Sequence, residues 1–252
     1  MRISTSTRVF IILAILMGLL SAFNMLLPQS APGSGLPAMD LTKLPAPLPV
    51  MMLAVFAIVL VVYGGLGFLG LKLSQKLGIP NLVCPEVSNR QRFGLPALVG
   101  VVIGVLLILM DLVFTNILGV VRLPHPPFPT SLVASLSAGI GEEIIFRLFF
   151  ISFWTWLISY VVLRRRWLLP VYWVVSTFSA VVFSASHFPA LMYLQQTTGI
   201  SQFSPALIVE IFLLNGLLSV IAAYFFKKSG YLAAVGVHFW ADVVWHVVWG
   251  MV

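Results

Sequence analysis

Seven long apolar runs divide this chain: Val9–Leu27, Val50–Leu71, Gly94–Val121, Leu132–Leu163, Trp167–His187, Ala206–Phe226 and Tyr231–Met251. A hydrocarbon core of roughly 30 Å takes about 20 residues of helix to cross, and the runs meet that length. Backbone N–H and C=O groups find no partner in lipid, so such a run crosses as a helix. Of the 252 residues, 60% are hydrophobic and 8% charged, whereas a soluble domain carries about a quarter charged residues. Too little polar surface exists to cover a water-soluble globule. The fold class is therefore all-α, a polytopic membrane helical bundle of about seven transmembrane helices. The run Leu132–Leu163 would measure ~48 Å as one straight helix. Strong tilt or a break is expected there, and an eighth element is compatible with it.

The connections Pro28–Pro49, Ser74–Gln91, Arg122–Pro129 and Gln195–Ser204 are rich in polar residues, Pro or Gly and read as loops. The run Val9–Leu27 follows Arg2 and Arg8 as in a secretory leader. It exceeds the usual apolar stretch of one and has no small-x-small cleavage site after it, so it reads as a retained span. Basic residues accumulate on cytoplasmic loops. With the N-terminus inside, eleven of the fourteen fall inside: Arg2, Arg8, Lys72, Lys76, Arg90, Arg92, Arg164, Arg165, Arg166, Lys227 and Lys228. Only Lys43 and Arg122 fall outside, and Arg147 lies within a run. The chain is expected to be a multi-pass protein of a prokaryotic cell membrane, with its N-terminus cytoplasmic.

The net charge of +7 comes from residues scattered between apolar runs. No basic stripe interleaved with aromatics and no nucleic-acid motif is present, so the expected partners are membrane lipid and a membrane peptide or protein, not nucleic acid. The single Cys84 excludes an internal disulfide. The glycines of Tyr63–Gly70 sit inside an apolar run rather than between a strand and a helix. They predict close helix packing and not dinucleotide binding.

Ionisable groups in a bilayer cost several kcal/mol each by insertion scales and mark function. Five of the seven acidic residues lie within runs: Asp111, Glu142, Glu143, Glu210 and Asp242. In the string GEEIIFR, Glu143 and Arg147 are four apart and share a helical face, so they can neutralise one another. Glu142 is offset by ~100° and is left free. A carboxylate at a dry site suits a general base acting on water; a helix-helix ion pair with a spare Glu is the structural alternative. His187 closes the string FSASH, four residues after Phe183. His238, Asp242 and His246 repeat every four residues along one helix, a spacing that converges on one site or builds a hydrogen-bond ladder.

Together these strings resemble the CPBP family, which groups type II CAAX prenyl endopeptidases with abortive-infection and bacteriocin-related membrane proteins. GEEIIFR is similar to its EExxxR motif, FSASH to FxxxH, and HFWAD to HxxxN/D. The resemblance covers roughly Gly94 to Val252, which divides the chain into an N-terminal anchor with a cytoplasmic loop, 1–93, and a protease core, 94–252. It implies that Glu142 activates water with help from His187. His238 and Asp242 would stabilise the oxyanion, and Glu143 with Arg147 would hold the geometry. Many members carry Asn where Asp242 stands. An ionised carboxylate cannot donate to an oxyanion, so Asp242 is protonated, orients His238, or binds a cation.

The implied activity is that of an intramembrane endopeptidase without a cofactor. Zinc on His187, His238 and Glu142 is the alternative. Other readings are a non-proteolytic immunity or scaffold protein of the same fold, and a transporter with Asp111, Glu142, Glu210 and Asp242 as a proton relay. Counting 1.5 Å per residue places Glu142 and His187 ~30 Å from their basic flanks and His238 only ~15 Å from Lys228. His246 matches the first pair better in depth, unless tilt or an unhelical stretch near Ser229–Ala233 brings His238 to the site.

Overall fold

A computed structural model describes residues 4–29 and 45–252; Arg2, Lys43 and most of the Pro28–Pro49 loop lie outside them. Seven helices are long and apolar enough to cross a membrane. They are α1 (Thr5–Asn24), α2 (Leu48–Lys76), α3 (Arg90–Asn116), α4 (Thr130–Val162), α5 (Leu168–Leu194), α6 (Pro205–Ser229) and α7 (Tyr231–Met251). No strand occurs among the described residues. The run Leu132–Leu163, where an eighth element was compatible with the length, forms the single span α4; the short helix Phe188–Leu194 follows a break at Ser186–His187 and completes α5.

The outer surface is apolar. Ile12, Leu53, Val61 and Val174 are each more than 60% exposed, as lipid-facing residues are. The helix α7 occupies the centre, packed against α3, α4 and α6, with Tyr231, Ala233, Ala234, Val237 and Ala241 fully buried. Small residues let its neighbours approach. A Cβ on Gly100 would meet the Val237 carbonyl and one on Gly104 the Val244 side chain, while Gly139 faces the backbone of Phe239. The glycine run of α2 packs similarly at two positions: Gly67 meets Phe10 and Ile144, and Gly70 meets the backbone at Leu148.

The 33 residues of α4 would measure about 50 Å, well beyond a hydrocarbon core. It is not a uniform α-helix. Wide π-type turns run through Ile144–Ile151, directly after Glu143, and again through Trp156–Val162. A third such stretch, Val243–Val248, follows Asp242 in α7. Wide turns of this kind concentrate at functional sites.

Between α6 and α7 the chain turns on one residue. Gly230 has φ +85°, and a Cβ there would meet the Pro80 carbonyl at 2.6 Å. Both the left-handed conformation and the close approach favour glycine. The loop 77–89 is fixed from both ends: Val83 N–H donates to Ser6 Oγ, and Arg92 donates to the carbonyls of Cys84 and Val87. The described residues before Gly94 share one hydrophobic cluster with the rest of the bundle, in which Phe10, Met17 and Leu71 join Ile144, Leu148 and Tyr231.

Candidate active site

The Glu143–Arg147 pair forms as the helical spacing predicts. Arg147 Nη1 lies 3.1 Å from Glu143 Oε1, and both side chains are fully buried. The same carboxylate oxygen also receives a bond from another helix, since His238 Nδ1 stands 2.8 Å away on α7. A charged carboxylate only accepts, so the ring donates through Nδ1–H and its Nε2 is turned away. Nε2 lies 3.5 Å from Asp242 Oδ2 and 3.7 Å from Glu142 Oε2. One buried imidazole is thus surrounded by three carboxylates.

Glu142 differs from its neighbour in exposure. Its side chain is 35% exposed where that of Glu143 is fully buried, and Oε2 of each has no hydrogen-bond partner. It borders two cavities. The first, of about 300 Å³, is lined at its floor by Glu142, His187, His238 and Asp242. Its walls are apolar, with Leu107, Leu191, Leu194, Ile211 and Leu214 among them. The second lies on the other side of Glu142 and is lined by Met17, Ser21, Asn24, Tyr63 and Ser137 with two alanines. Asn24 Oδ1 and Ser137 Oγ there have no protein partner. One flank of Glu142 is therefore suited to side chains and the other to water.

His187 sits at the break in α5. Its Nδ1 lies 2.9 Å from the Phe183 carbonyl, which only accepts, so Nδ1 carries the proton and Nε2 is a free acceptor. Phe183 is the common neighbour of the cluster. The Arg147 guanidinium stacks on it at 4.9 Å, and the rings of His187 and His238 stand edge-on to it at 5.0 and 5.8 Å. The FxxxH spacing placed Phe183 beside His187; its seat beneath Arg147 had no signal in the sequence.

Glu142, His187, His238 and Asp242 thus line one cavity, and Glu143 with Arg147 lies behind His238. Of the two rival histidines, His238 stands beside Glu142. His246 lines the outer part of the same cavity with its Nδ1 3.2 Å from His125 Nδ1. His125 lies in the loop before α4, in a string that read only as a connection. Burial and the nearby Arg122 charge depress its pKa from 6.5 to about 4. Asn215, on the cavity wall, is a further polar residue that no motif singled out.

The four-carboxylate relay is not brought together. Asp111 and Glu210 neighbour one another, but neither lines the cavity of Glu142 and Asp242. Asp111 Oδ2 instead accepts from Trp249 Nε1 at 3.3 Å.

Residues 124–244 match the family described as Type II CAAX prenyl endopeptidase Rce1-like. That segment, a little under half of the chain, is similar to this family of membrane proteases. The match holds all three motifs and begins after α3, so the helices that wall the second cavity from the α1–α2 side lie outside it. No curated protein and no solved structure matches the chain.

Proposed function

We propose that this Rce1-like chain hydrolyses a peptide bond of a membrane-associated peptide, with Glu142 as the base that activates water. The observation that carries the reading is the division of labour between adjacent carboxylates. Glu143 is fully buried with its Oε1 held by Arg147 and His238, while Glu142 is partly exposed and lines both cavities.

Glu142 takes a proton from water as the oxygen attacks the carbonyl carbon, and the free Nε2 of His187 orients that water. The carbonyl π electrons move onto oxygen, where a donor must meet them. His238 supplies it through Nε2–H when both ring nitrogens carry protons. Asp242 holds that ring from the cavity side and Glu143 from behind. The tetrahedral centre collapses, the C–N bond breaks, and the proton on Glu142 passes to the leaving amine. One water is consumed and no covalent intermediate forms.

Zinc was the alternative. No three His, Cys, Asp or Glu side chains among the described residues stand at metal-ligand spacing, and His238 Nδ1 is committed to Glu143. The donor set does not fit the ion as arranged, and no step is routed through it. The test is to incubate purified protein with membrane-tethered peptides and identify the products by mass spectrometry, with Glu142→Gln beside it. New termini with the wild type alone support the reading. Cleavage by both proteins would remove Glu142 from the chemistry.

A further inference from the structure

Apart from His238 and Leu218, which reach the middle of the bundle, the cavity that holds the site lies in one half of it. Among the described lining residues, those of α6 are Ile211, Leu214, Asn215 and Leu218, all distant from Lys227 and Lys228 at its basic end. Leu107 of α3 lies fifteen residues beyond Arg92, and no residue of the basic turn Arg164–Arg166 takes part. The lining reaches the surface at the opposite end, through Leu123, Pro124 and Pro126 of the loop before α4 and Leu194 at the close of α5. Pro124 is exposed and Leu123 and Leu194 half-buried, which puts the mouth there. The second cavity beside Glu142 lies in the same half, since Asn24 ends α1 and Ala134 is in the first turns of α4.

The eleven-to-two distribution of basic residues makes the other half cytoplasmic. We infer that the mouth of the cavity opens on the non-cytoplasmic face and takes an apolar peptide segment presented from that side. The inference rests on the proposed endopeptidase reading for the nature of its occupant, and on charge and geometry for its side. Its apolar walls suit aliphatic side chains, and a polar floor at Glu142 and His238 receives the peptide bond. Such an occupant is a segment of an exported or membrane-anchored chain, rather than the cytoplasmic C-terminus of a prenylated one.

Labelling decides the side without requiring turnover. On a Cys84→Ser background, which removes the only thiol, Leu194→Cys and Pro124→Cys place one at the mouth. Gln75→Cys places one at the basic end, where Gln75 is exposed. A membrane-impermeant maleimide added to intact cells is expected to label the first two variants and not the third, and inverted vesicles should reverse the pattern. Glu142→Gln should leave the pattern unchanged. Mouth thiols reached only in inverted vesicles would overturn the inference, and so would thiols that react only after denaturation, which would mean a mouth closed to water. A peptide tethered by one transmembrane helix then separates the two claims. Cleavage of a segment displayed outside, and not of the same segment displayed inside, supports both. Inside-only cleavage overturns the sidedness. Cleavage of neither, with outward labelling intact, counts against the protease reading alone.

Discussion

Two groups of carboxylates are buried in this bundle, and they are built differently. Around His238, the acids Glu142, Glu143 and Asp242 meet a fully buried Arg147 and an imidazole, and each is within 4 Å of one of these two side chains. Around Trp249, Asp111 and Glu210 meet no cation among the described residues; one accepts a single indole bond at 3.3 Å and the other has both oxygens unpartnered. Both groups are costly in a membrane, so burial alone does not separate chemistry from structure. The cavity does. The first group borders open volume through Glu142 and Asp242, and the second is enclosed by packing.

The comparison breaks most sharply at Glu142. Replacement by Gln should lower cleavage by about 10²–10⁴, the usual worth of a general base, with the yield of folded protein unchanged. Normal turnover would leave the two groups functionally alike. Next comes Arg147→Ala, which strands Glu143 as a buried charge and should cost about 3–5 kcal/mol, read as loss of folded protein in detergent melts. A melt equal to wild type would mean that the ion pair holds nothing.

A smaller effect is expected at Asp242. Asn keeps the shape and adds an N–H donor, so cleavage should change by no more than about tenfold, the worth of one hydrogen bond. Chelator should make no difference to either protein. An inactive Asn variant restored by added zinc would sink the metal-free mechanism. Glu210→Gln probes the enclosed group and should leave cleavage unaltered, shifting stability by about 1 kcal/mol or less. Loss of turnover there would join Glu210 to the chemistry and revive the proton relay.

The smallest effect concerns pH. His125 has a folded pKa of about 4 against 6.5 in the open chain, so between these values the unfolded chain binds a proton that the folded one refuses. Stability should therefore fall as pH drops from 6.5 toward 4, and be flat above that window for this residue. His125→Gln should reduce that slope in melting temperatures taken across pH. An unchanged slope would assign it to other groups.

Much of the fold was legible because lipid imposes length on apolar runs. The last span was read at Tyr231–Met251 and lies there. The third was read to Val121 but ends at Asn116, because the chain turns at Gly119, with φ +67°, a break that its apolar neighbours concealed. The Glu143–Arg147 pair was legible from its spacing of four. The bond from His238 to Glu143, ninety-five residues apart, was not, since no local period encodes a contact between helices. Depth counting misplaced His238 because residue counts along separate helices carry no information on how those helices are offset against one another. His125 was hidden for a similar reason, being a loop residue whose partner lies on another helix.

The one-residue turn at Gly230 has a consequence for how the protein is made. The last span carries His238, Asp242 and His246, and it is the least apolar of the seven, a poor candidate to enter lipid alone. Its predecessor is strongly apolar over 25 residues. With a single residue between them, the two limbs leave the translocation machinery as a helical hairpin. The transfer free energy of the first then offsets that of the second, so His238, Asp242 and His246 reach the bilayer interior carried by a more apolar neighbour.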